Sequence, residues 1–75
     1  MVTAEIIMNR IQQALPTAEV KAQDLTGGGD HWRVQVRAEE FRGKSLVEQH
    51  QMIYQSLGEL MRADIHALAL DTKEK

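Results

Sequence analysis

Between Thr3 and Leu15 the apolar residues fall at Ile7, Met8, Ile11, Ala14 and Leu15, the three-and-four spacing of one helical face. The spacing predicts a helix over 3–15, with Thr3 as N-cap, Glu5 at the positive end of the helix dipole and Pro16 ending the ladder. The period then shortens. Val20 to Leu25 alternates weakly, while Trp32, Val34 and Val36 point to one side and His31, Arg33, Gln35 and Arg37 to the other. These runs predict strands over 20–26 and 31–37, joined as an antiparallel hairpin by the turn Gly27-Gly28-Gly29-Asp30. Ala38 to Lys44 is a connection containing Phe41 and Gly43. Ser45, with Glu48 three residues later in capping-box position, opens a second helix over 45–57. Its apolar stripe reads Leu46, Val47, His50, Ile53, Tyr54 and Leu57. Gly58 weakens the helix, and Glu59 to Arg62 adds a turn at a new angle. A third strand is expected over 65–70, with His66 on the side of Leu68 and Leu70, before a polar tail over 71–75 expected to fray. The order α-β-β-α-(α)-β predicts an α+β fold, one domain over 1–75 in which helices pack on one face of a three-stranded sheet.

Composition narrows the field of functions. A chain of 75 residues holds one core, and a domain of that size buries only about 60% of the surface its unfolded chain exposes. The absence of cysteine excludes disulfides and any metal site built on the chain's own thiolates. A net charge of −2 implies neither a bulk nucleic-acid coat nor a polybasic membrane patch. No apolar run approaches the roughly 20 residues of a membrane span, and the start lacks a secretory layout, so no membrane association is expected and the location is expected to be cytoplasmic.

Few residues could carry chemistry. No G-x-S-x-G, H-E-x-x-H or phosphate-binding G-x-x-x-x-G-K-[S/T] pattern is present. The triple glycine precedes a strand rather than a helix, and so lacks the amides that cradle phosphate. An enzyme is therefore not expected. Of the three histidines, His50 falls on the apolar stripe, where an imidazole is ordinarily structural and bonded to a carbonyl or a neighbour. His31 follows the glycine turn on the polar face, and His66 stands at the entrance of the last strand. Each alone reads as an ordinary imidazole, although imidazole is also the commonest metal-binding side chain. Arg33 and Arg37 share a strand face, and Arg42-Gly43-Lys44 precedes a helix N-terminus. Such a patch can contact phosphates, or it can be a solvated face balanced by Glu39, Glu40 and Glu48.

Taken together, Phe41-Arg42-Gly43-Lys44-Ser45, His50, Ile53 and Leu57, followed by Ile65-His66-Ala67-Leu68, resemble the BolA family pattern F-x-G-K-x-x-x-x-x-H-x-x-[VI]-x-x-x-L with a later H-[AG]-L. The resemblance extends from the first helix through Leu70. It implies a class II KH-like fold and no enzymatic activity. It further implies a heterodimer with a monothiol glutaredoxin, in iron–sulfur or iron homeostasis or redox-linked regulation. In that complex a 2Fe–2S cluster would be held by the glutaredoxin cysteine, a glutathione thiol and histidine from this chain, which alone would hold no cofactor. Carried over by position, His66 is the implied ligand and His31, beside Trp32, the second candidate; Phe41, Gly43 and His50 are implied to be structural. A DNA-binding transcriptional regulator is the alternative, with Arg33, Arg37, Arg42, Gly43 and Lys44 at the phosphates, and a homodimer is open to the chain when it is alone. Gln49 departs from the family, where many members carry arginine.

Overall fold

A computed structural model describes residues 2–75. Helix α1 (Ala4–Ala14) begins where Thr3 accepts a hydrogen bond from the Ile6 amide, and ends before Pro16. It buries Ile7 and Ile11. Strand β1 (Glu19–Asp24) pairs antiparallel with β2 (His31–Ala38), Glu19 facing Arg37 and Asp24 facing Trp32. A short 3-10 turn (Glu39–Phe41) then seats Phe41 in the core. Helix α2 (Leu46–Leu57) opens on the complete Ser45–Glu48 capping box, which satisfies two amides that would otherwise lack acceptors. Gly58 ends it at φ +54, a conformation that L side chains rarely adopt. One turn of helix α3 (Leu60–Ala63) leads to β3 (Ala67–Glu74), which runs parallel to β2.

The sheet is mixed, with β2 in the centre. Trp32, Val34 and Val36 point from β2 into the layer formed by α1 and α2, where Ile53 and Leu57 meet them in one core. The opposite sheet face carries Arg33, Gln35 and Arg37 into solvent. This is the α+β arrangement, helices on one face of a three-stranded sheet, that the hydrophobic pattern predicts.

Three expectations are corrected. The third strand does not span 65–70: it starts at Ala67 and continues to Glu74. The segment expected to fray is therefore ladder, pairing Gln35 with Asp71 and Ala38 with Glu74. Its hold comes from the backbone of β2 and from end ties, with the Lys75 amide donating to Ala38 O and Arg42 facing Glu74 at 3.2 Å. Along α2, only Ile53 and Leu57 of the expected stripe are buried, while Leu46, Val47 and Tyr54 are 60%, 66% and 43% exposed. Leu46 and Val47 lie in the first turn of the helix, at its capped end. Finally, His66 lies in the bend before β3 rather than on the strand.

Candidate functional site

Parallel pairing puts the beginnings of β2 and β3 at the same end of the sheet, with His31 paired to Ala67. His31 and His66, 35 positions apart in the chain, thereby become neighbours. Their ring centres are 5.3 Å apart and the planes are inclined at 46°, so both imidazoles border one open space instead of stacking face to face. His66 is exposed, and the His31 side chain is 39% exposed.

One residue stitches this end together. The carbonyl oxygen of Asp30 accepts from the amides of both His66, at 2.7 Å, and Ala67, at 3.1 Å. The Asp30 carboxylate receives the Thr26 hydroxyl at 3.1 Å and stands 3.8 Å from His31 Nε2. Upstream, the Asp24 carboxylate accepts from the amides of Gly27 and Gly29 at 2.9 Å each, and from Thr26 at 3.3 Å. The glycine turn does therefore gather amides around an anion, but that anion is the chain's own carboxylate. The buried Trp32 indole closes the turn by donating to Gly29 O at 3.0 Å. The loop that leads into His31 is thus held at several points, which limits the freedom of the imidazole it delivers. Neither aspartate stands out by family pattern. For Asp24 the available signal is an aspartate before a glycine-rich turn, the composition of a side chain that bonds backbone amides a few residues on; Asp30, which ends the turn and acts through its carbonyl, carries none.

The histidines sit in an open cleft with Asp30, Asp64, Arg62 and Met61. Among the described residues, no group of three or more His, Cys, Asp or Glu is arranged to hold a metal ion. The pair is a partial donor set.

The remaining candidates lie elsewhere. His50 is half-buried on α2, and its Nε2 is enclosed without a hydrogen-bond partner, so the carbonyl or neighbour expected for it is not there. Phe41 is fully buried, and Gly43 takes φ +75 in the following loop. The arginines each face a carboxylate, Arg33 with Asp71 at 4.0 Å, Arg37 with Glu19 at 3.5 Å and Arg42 with Glu74 at 3.2 Å. Lys44 is exposed beside the capping box. This charge balance leaves little net positive surface for a phosphate backbone. Farther round, the Thr17 hydroxyl donates to Glu40 and the Thr17 amide to the same carboxylate at 3.2 Å, which holds Glu40 below the usual carboxylate range.

The fold and site together define a small α+β domain that presents two imidazoles at one open end of a mixed sheet. The family model described as BolA-like protein matches residues 2–75, and the chain belongs to that family. Protein BOLA2 of Arabidopsis thaliana is 37% identical over 71 residues, covering 93% of this chain and 75% of the relative. BolA-like protein 3 of Saccharomyces cerevisiae is 34% identical over 74 residues, covering 93% of this chain and 59% of its own length. Among solved structures, a bolA protein homologue from Coxiella burnetii superposes with a TM-score of 0.82 at 33% identity, covering 99% of this chain and 92% of the other. The BolA domain of SufE1 from Arabidopsis thaliana gives 0.85 at 26%, over 95% and 90%.

Proposed function

We propose that this chain is a non-catalytic adaptor that pairs with a monothiol glutaredoxin and shares a 2Fe–2S cluster with it, in iron–sulfur or iron homeostasis. His66 and His31 would ligate from this side, and the glutaredoxin cysteine with a glutathione thiol from the other. The observation that carries the reading is the pair of neighbouring, solvent-facing imidazoles at a site with too few donors to be complete. The donor chemistry fits, because two imidazoles can replace two thiolates on one iron of such a cluster, as in Rieske centres. With no cysteine in the chain, the thiolates must come from another molecule. When bound, the cluster would supply a group suited to transfer or sensing. This chain's part is to fix two donors at a set spacing through Asp30 and to leave them accessible. A BolA domain also occurs as part of SufE1, so in that relative the same fold serves within a larger protein. No observation favours the DNA-binding alternative, given the paired arginines.

The test is anaerobic reconstitution with a monothiol glutaredoxin and glutathione, followed by native mass and visible absorbance. A coloured heterodimer is expected, and His66→Ala should bleach it or shorten its lifetime. An unchanged spectrum and lifetime in His66→Ala would reject the ligand assignment, and no heterodimer would reject the function.

A further inference from the structure

We propose that His31 and His66 are half of a divalent-metal site completed by the same two imidazoles of a second copy, so that an ion such as Zn2+ bridges two chains in a symmetric dimer. Two imidazoles bound to one tetrahedral ion, with metal–nitrogen distances of about 2 Å, place their ring centres about 5 Å apart. The rings here are 5.3 Å apart before any ion is added. The Asp30 carboxylate, 3.8 Å from His31 Nε2, lies beyond hydrogen-bond distance and adds a negative charge beside the imidazole pair.

The donor count points to a second molecule. Among the described residues no third side chain joins the pair, so two positions of a tetrahedral ion are left to be filled from outside. A second copy supplies two imidazoles in the same arrangement, and a twofold axis through the ion closes the assembly. An all-imidazole set suits Zn2+, Ni2+ or Cu2+ and discriminates against Mg2+ and Ca2+, which take oxygen donors.

Charge and access agree. The cleft holds Asp30 and Asp64 against the single Arg62, an excess of one negative charge for each chain. Two such clefts face to face would repel, and a divalent cation between them offsets that repulsion. The exposure of both imidazoles lets the second chain approach. The dimer uses the imidazoles of the proposed cluster site but needs neither glutaredoxin nor glutathione, so either proposal can fail while the other stands.

The test uses metal-free chain alone, with Zn2+ added and mass read by sedimentation, and with Co2+ as a visible probe of tetrahedral coordination. The 8.5 kDa chain should double in mass at one Zn2+ for every two chains, and Co2+ should give an intense visible band. Mg2+ should give neither. His31→Ala and His66→Ala should each abolish both signals with the fold retained by circular dichroism, whereas His50→Gln should keep them. An unchanged mass at large Zn2+ excess, a stoichiometry other than one ion for two chains, or a dimer that survives in His66→Ala would overturn the proposal.

Discussion

Replacing Asp24 with alanine tests whether the loop leading into His31 is held by one carboxylate. The side chain accepts three amides, two at 2.9 Å and one at 3.3 Å. In a surface loop, water takes over part of what is lost, so each good bond contributes about 0.5–1.5 kcal/mol net. The long Thr26 bond adds little, and the Gly29 bond, which is partly buried, contributes most. The sum is about 2 kcal/mol. A domain of this length has roughly 4–11 kcal/mol of stability in total, so the variant should remain folded. Urea unfolding should show a lower midpoint with an unchanged denaturant slope, because the surface exposed on unfolding is the same. Hydrogen exchange should accelerate at the Gly27 and Gly29 amides, and the proximity signal between the His31 and His66 rings should weaken. Asp24→Asn keeps an acceptor for Gly27 but loses one oxygen, so it should fall about halfway between. A loss below about 0.5 kcal/mol with unchanged exchange at Gly27 and Gly29 would refute the anchoring role.

Three further outcomes follow from packing, pairing and charge. Phe41→Ala should cost about 3–5 kcal/mol and bring the domain close to unfolding, whereas Val47→Ala should change stability by less than about 0.5 kcal/mol; thermal denaturation of the two separates buried from exposed residues. Deleting residues 71–75 removes four paired positions of β3 and should cost about 2–4 kcal/mol by urea unfolding, while a fraying tail would cost nothing measurable. Glu40 has a folded-state pKa lowered chiefly by the Thr17 hydroxyl, so its contribution is full above the unfolded carboxylate value and lost as pH falls through the folded one. Thr17→Val should therefore flatten the acid limb of the stability–pH curve, and an identical acid limb in the variant would contradict this.

The elements with local punctuation were legible in the sequence. The Thr3 cap, the Pro16 stop, the alternation through β2 and the Ser45–Glu48 box each act within a few residues, and each is where the pattern places it. The second half of β3 was not, because Asp71-Thr72-Lys73-Glu74 carries no apolar period. It is a strand because β2 lies alongside as a template, and a charged edge strand with one solvated face needs no hydrophobic signature. On α2 the periodicity identifies a helix but not which part of its apolar arc meets the sheet, so the pattern groups Val47 and Tyr54 with Ile53 though they face solvent. His50 shows a different limit: a pattern places a side chain on a stripe without showing whether its nitrogen finds a partner.

The candidate site depends on something no local pattern contains. His31 and His66 meet because β3 pairs parallel to β2, which requires a crossover through α2 and α3 to return the chain to the same end of the sheet. Parallel pairing aligns the strand starts, and the shared acceptor at Asp30 fixes the register at the first pair. A slip of one residue would move the second strand by about 3.3 Å and turn its side chains to the other face, separating the imidazoles. The unfolded chain therefore holds no such pair. An ion or partner that engages both histidines in this arrangement binds the folded state preferentially, and by mass action it stabilises the fold in step with the logarithm of its concentration over its dissociation constant. A thermal shift on adding Zn2+ that vanishes in both His31→Ala and His66→Ala reports this coupling. A shift retained in either variant would mean that the ligand engages only one imidazole, and that the parallel register has no part in building the site.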